Sequence, residues 1–137
     1  MNIEKFRRQC LSMSGATETV QWGNDLVFKV GGKMFAVAAL DAAATHCVSF
    51  KCSDEGFAEL QEFEGAVPAP YLARAKWIAL ERFDALSDRE IADRIAEAYA
   101  LVFAKLTRKQ QATISGTPSP STPRKGSGSP GRARRRA

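Results

Sequence analysis

The sequence predicts an α+β protein, an antiparallel β-sheet meander backed by helices, and three observations lead there. Residues Leu26 to Ala38 form two alternating apolar segments joined by Gly31-Gly32, a two-residue loop that tolerates the positive φ angles of a tight hairpin turn. Val48-Ser-Phe-Lys-Cys52 supplies another β-favouring run. Ile91, Ile95, Ala98, Tyr99, Val102 and Leu106 then recur at helical spacing behind the capping pattern Ser87-Asp-Arg-Glu90.

The elements follow in order. Asn2 is placed to cap a first helix carrying Ile3, Phe6, Cys10 and Met13, with Ser14-Gly15 as its stop. Thr19-Val-Gln-Trp22 reads as a short strand before the turn Gly23-Asn24-Asp25. With Val30 and Lys33 flanking the glycine loop, Phe28 is expected opposite Phe35 and Leu26 opposite Val37 on the core side, and Lys29 opposite Met34 on the other. Val48 and Phe50 then point inward and Ser49 and Lys51 outward, which predicts one apolar face and one partly basic face, with helices over the first only.

Ser53 is expected to cap a helix from Asp54 to about Phe63, with Phe57, Leu60 and Phe63 on one side, and a loop holding Pro68 and Pro70 follows. Lys76-Trp-Ile-Ala-Leu80 has strand character. Trp77 most simply points inward there and Lys76 outward, although Ile78 and Leu80 share the lysine's parity, which a covered or partner-facing second side would explain. The last helix is expected to continue to Leu106, with Lys105, Arg108 and Lys109 at the negative pole of its dipole.

A chain of 137 residues, 45% hydrophobic, has room for one real core. Residues 1–110 are expected to form that domain and residues 111–137 a disordered basic tail rich in Ser, Pro, Gly and Arg, too polar to repay the entropy of ordering. Charge divides in the same way. Residues 1–111 hold 14 Lys and Arg against all 15 Asp and Glu, whereas residues 112–137 hold six basic residues and no acid. The body is therefore near neutral, and charge alone does not mark it as a nucleic-acid binder. The sequence has no apolar run of about 18 residues and no secretory signal core, so a cytoplasmic protein is expected. Three cysteines, an odd number, fit a reducing compartment; Cys47 and Cys52 fall on opposite strand faces, about 17 Å apart along the strand. Cys10 reads as a small buried hydrophobe.

Trp22, the hairpin Phe28-Lys-Val-Gly-Gly-Lys-Met-Phe35, Val48-Ser-Phe-Lys-Cys52, Pro70-Tyr71-Leu72 with Trp77 beyond it, and the segment from Ala98 to Leu106 together resemble the MmcQ/YjbR family of small bacterial proteins. The resemblance covers residues 3 to about 110. It implies a YjbR-like fold akin to bacterial frataxin, with an antiparallel sheet backed by helices. It also implies DNA binding, the family's usual label, by likeness of the sheet to the double-wing module of a phage transcription factor. The chain departs from the pattern Asn-Lys-x-His-Trp found in many relatives, having Arg74-Ala-Lys76-Trp77 and lacking both the Asn and the His.

Residues suited to phosphate contact are Lys29, Lys33 and Lys51 on or beside the outward sheet face and Arg74 and Lys76 at its edge. The same lysines equally suit a solvated β face protected from edge-to-edge pairing. Trp22 and Trp77 have the chemistry to stack on bases, while core packing is the commoner fate of such residues. In the tail, Arg132, Arg134, Arg135 and Arg136 concentrate charge on an arm able to meet DNA or another polyanion; a solubilising extension is the alternative.

No reaction is legible. His46, the sole histidine, is expected at the surface of a loop, and no HExxH, CxxC, nucleophile elbow or Walker loop occurs. A frataxin-like iron surface needs an acidic first helix, and this one offers Glu4 against Lys5, Arg7 and Arg8. The expectation is a non-enzymatic DNA-binding protein acting through phosphate contacts from sheet face and tail, with no catalytic residue, metal or cofactor and no membrane association. The alternative is a protein-interaction module with a solubilising tail, favoured by an exposed patch containing Val27, Met34, Ile78 or Leu80. Lysines on the open face without apolar neighbours would favour nucleic acid.

Overall fold

The computed structural model describes residues 1–41, 43–70 and 72–116. The chain divides into two units, residues 1–105 and residues from 106 onward.

The first unit runs α1 (Ile3–Leu11), β1 (Ala16–Gln21), β2 (Asp25–Val30), β3 (Lys33–Ala39), β4 (Val48–Lys51), α2 (Asp54–Leu60), β5 (Ala66–Pro68), β6 (Trp77–Leu80) and α3 (Asp88–Phe103), with single 3₁₀ turns at Ala73–Ala75 and Phe83–Ala85. All six strands join one antiparallel sheet in the order β1-β2-β3-β4-β6-β5. The α+β architecture predicted from the sequence is the one observed. β5 was expected as loop; its Pro68 is tolerated because the strand lies at the sheet edge, where a missing N–H costs no ladder bond. Among the described residues no helix is long and apolar enough to cross a membrane.

The caps form where the side chains predict them. Asn2 Oδ1 accepts from Lys5 N at 2.9 Å, Ser53 Oγ from Gly56 N at 3.0 Å, and Ser87 Oγ from Glu90 N at 3.1 Å. Glu90 does not complete a capping box, because its carboxylate is drawn to Arg94 at 3.0 Å. The glycine hairpin also forms, with φ of 59° at Gly31 and 80° at Gly32.

The hairpin register corrects the sequence reading. Lys29 does pair with Met34, but a bulge between Phe28 and Lys29 then shifts the ladder by one, so Phe28 pairs with Ala36, Val27 with Val37 and Leu26 with Ala38. Phe35 is the extra residue. Its ring meets Tyr99 of α3 edge-on at 5.6 Å, and aromatic packing against that helix accompanies the slip.

The register produces two cross-strand rows facing the helices, Glu18-Phe28-Ala36-Phe50-Ile78-Pro68 and Val20-Leu26-Ala38-Val48-Leu80-Ala66. Phe28, Ala36, Phe50, Ile78, Val48 and Leu80 have no exposed surface; α3 packs on β2, β3 and β4 and α2 on β6, and Phe6 of α1 reaches Phe28 at 5.9 Å. Polar ties brace this layer. Arg7 makes a two-pronged contact to Glu18 at 2.7 and 2.6 Å. Arg94, 14% exposed, reaches Glu59 of α2 at 2.6 Å, Glu90 at 3.0 Å and Glu97 at 3.3 Å. Burial works against that guanidinium, but the hydrogen bonds to Glu59 and Glu90 outweigh it and its pKa is raised.

Two helix expectations are corrected. α2 stops at Leu60, so Phe63 lies beyond it and is 44% exposed. α3 ends at Phe103, and a separate helix, α4 (Arg108–Gly116), crosses the boundary expected at residue 110. Thr107 and Gln110 form a reciprocal capping box: Gln110 N donates to Thr107 Oγ1 and Thr107 N to Gln110 Oε1, both at 3.1 Å. Arg108 and Lys109 therefore begin a helix instead of ending one.

Candidate ligand face of the sheet

The sheet's second face alternates with the first and is largely apolar, where the sequence predicted a partly basic face. One row crosses all six strands as Thr19, Val27, Val37, Ser49, Ala79 and Val67. Val27 and Ala79 are fully buried, Val37 is 7% exposed and Ser49 4%. Trp77, 3% exposed, adds its indole beside Lys51, its ladder partner. Trp77 and Ala79 thus belong to this face and Ile78 and Leu80 to the helix-covered one, so the parity of β6 is that of a strand buried on both sides.

Among the described residues, the cluster around Val27 and Trp77 contains no helical residue. The connection from β5 to β6 folds back instead: Ala69 N donates to Trp77 O at 3.0 Å, and Trp77 N to Leu72 O at 3.2 Å. Ala69 and Leu72 pack into a cluster with Val27, Val37, Trp77 and Ala79, joined by Met34 and Val67. This strap covers one side of the face. Between it and the β1–β2 turn a cavity of about 480 Å³ opens to solvent, walled by Met34, Val37, Ala69, Pro70 and Leu72 and rimmed by Trp22, with Asp25, His46 and Ser49 supplying polar groups. Its size is that of small-molecule pockets.

Trp22 is held unusually. It lies in the turn between β1 and β2 with φ at 52°, a left-handed conformation costly for a bulky side chain, and is 62% exposed. Ser49 is the reverse case, a hydroxyl on the central strand β4 that makes no hydrogen bond among the described residues although its residue is almost wholly buried. Nearby in β1, Gln21 shares the parity of Thr19, and its buried Oε1 accepts no hydrogen bond. His46 is half-buried in the cavity wall instead of lying free on the surface, and its Nδ1 stands 3.4 Å from Thr45 Oγ1. No hydrogen bond joins Ser49 to His46 or His46 to Asp25 among the described residues.

The basic residues named from the sequence distribute unevenly. Lys29 and Lys51 share the parity of Val27 and Ser49 and so lie on the second face, at its hairpin end, with Met34 on the strand between them. Both are half-buried, and Lys51 Nζ donates one of its protons to Ala75 O at 2.8 Å, keeping two. Lys33 is exposed beside the glycine turn, and Arg74 is exposed on the 3₁₀ turn of the strap. Lys76 turns elsewhere: its ammonium lies 5.2 Å from the ring centre of Phe57 in α2. Arg132, Arg134, Arg135 and Arg136 lie outside the described residues.

No disulfide joins Cys10, Cys47 or Cys52. Burial pushes the Cys52 thiol up to about 12 and raises Cys10 and Cys47 as well, so none has thiolate character at neutral pH.

An open antiparallel sheet with helices on one face and a partly strapped cavity on the other defines the class of fold. A family model described as YjbR matches residues 11–101, and the chain belongs to that family. A crystal structure of a protein from Pseudomonas syringae, solved by a structural-genomics consortium, superposes with a TM-score of 0.62 at 19% identity, covering 74% of this chain and 99% of that one. At that identity the likeness shows the fold alone. No curated protein matches the chain significantly.

Proposed function

We propose that this is a cytoplasmic, non-enzymatic nucleic-acid-associated protein of a bacterial cell that meets its partner through the open face of the sheet. The observation that carries the reading is the position of Lys29 and Lys51, two cations flanking Met34 on the sheet's second face, with Lys33 and Arg74 exposed on the adjoining turns. Ammonium groups at one end of an open face suit backbone phosphates, which position a nucleic acid without reading its sequence. The tail's six basic residues, none countered by an acid, would add a nonspecific electrostatic contribution.

A protein partner is the second reading, favoured by the apolar middle of the same face: Met34, partly exposed, lies between the two lysines, which are therefore not without apolar neighbours, and Leu72 is partly exposed as well. Binding of DNA at several salt concentrations by the full chain, by residues 1–116 and by Lys29→Ala/Lys51→Ala in each separates the two. The nucleic-acid reading predicts that the double substitution weakens binding and flattens its salt dependence by about two phosphate contacts, a change of roughly 1.4 to 1.8 in log–log slope. If only the tailed chain binds, and the substitutions change nothing, the sheet face serves a protein partner instead. A turnover that tracked His46 would overturn the non-enzymatic reading.

A further inference from the structure

We propose that the cavity on the open face takes one unstacked base, which makes the partner single-stranded nucleic acid instead of duplex. This rests on the phosphate-contact reading above and deepens it. Asp25 lines the cavity, and Lys29, the ladder partner of the lining residue Met34, lies outside it, four residues or about 13 Å from Asp25 along β2. A nucleotide has the same polarity, with a hydrogen-bonding base edge remote from its phosphate.

Each part of this arrangement has a matching part of a nucleotide. Met34, Val37 and Leu72 form an apolar bed. Trp22 offers an indole face at the rim, and base–aromatic stacking is the usual grip of single-strand binders because every base has a π-face. The Asp25 carboxylate accepts from a base N–H or amino group, and the unpaired Ser49 hydroxyl either donates or accepts. Lys29, beyond the cavity, then meets the flanking phosphate. The strained backbone at Trp22 is a local cost for which the fold itself shows no return, and it lies on the cavity. In a duplex the bases are stacked and paired, so a concave site of this depth reaches only the backbone; an unpaired strand presents its bases without that cost.

The test uses the full chain and two probes of equal charge, a short oligothymidine and an abasic oligomer with the same number of phosphates. The expected result is that the wild-type protein binds oligothymidine at least about fivefold more tightly than the abasic strand. Trp22→Ala removes that preference while leaving abasic affinity unchanged, and Trp22→Phe retains most of it. Lys29→Ala/Lys51→Ala weakens both probes by the same factor and keeps the preference. Because Trp22 is exposed in a turn, the fold of Trp22→Ala is checked by the emission of buried Trp77. Equal wild-type affinity for the two probes overturns base insertion while leaving the phosphate reading in place. A preference that survives Trp22→Ala overturns the assignment to this cavity. Failure of the lysine substitutions to weaken either probe overturns the phosphate reading, and failure of the full chain to bind either overturns both.

Discussion

The two faces of the sheet are built from the same strands at alternate residues and end in different states. Phe28, Phe50, Ile78 and Leu80 on one face are sealed beneath α1, α2 and α3. On the other, Val27, Val37, Ala79 and Trp77 are covered partly by a strap, which leaves Met34, Leu72 and Trp22 around an open cavity. The first arrangement satisfies its apolar surface within the chain. The second retains apolar surface around an open cavity, and that contrast is the ground for proposing the strapped face as the binding face.

The sharpest way to break the comparison is to truncate one large side chain on each face. Phe50→Ala is expected to cost about 3–5 kcal/mol in urea unfolding, whereas Met34→Ala is expected to cost about 1 kcal/mol or less, since trimming the wall of an open cavity encloses no new void. Equal costs would mean that the second face is as complete as the first. Next in size, Arg94→Ala is expected to destabilise by about 1–3 kcal/mol, because Glu59, Glu90 and Glu97 lose their common cation. The same melt should show ligand affinity unchanged, since Arg94 ties the helix side.

Acid titration sharpens the contrast further. The hydrogen bond from Arg7 holds the Glu18 carboxyl below its ordinary range, and the amino terminus does the same for Asp88. A depressed folded-state pKa contributes stability above the unfolded-state value, lost as pH falls through the folded one. Stability should therefore fall from about pH 4 downward, and Arg7→Ala should flatten that acid limb in thermal melts across pH. The smallest effect is expected at Trp22. Trp22→Gly relieves the positive φ and should leave stability unchanged or raise it by up to about 1 kcal/mol while abolishing the indole rim. A loss of several kcal/mol would show that Trp22 serves the fold.

What the sequence revealed depended on whether the signal was local. The glycine turn, the caps at Asn2, Ser53 and Ser87 and the stripe of α3 are set by neighbouring residues, and all were legible. The bulge that displaces Phe35 was not, and Tyr99, the ring Phe35 meets, lies far along the chain. The apolar second face was half visible. Ile78 and Leu80 at Lys76's parity already implied a strand buried on both sides, but the strap that makes this possible is a loop without periodicity. Trp22, Asp25, His46 and Ser49 were missed as one site because β2, β4 and their turns converge only when the sheet forms. Trp77 packs as core, as most tryptophans do, while Trp22 does not. The capping box Thr107-x-x-Gln110 was readable and would have separated α4 from α3.

The claim that the open face is the binding face is tested most directly by recording backbone amide shifts of the full chain during titration with single-stranded oligothymidine. The account predicts that the largest shifts fall on Trp22, Asp25, Lys29, Met34, Ser49 and Leu72, with α1 and α3 little changed. Shifts confined to the arginine-rich tail, or centred on the helices, would contradict it.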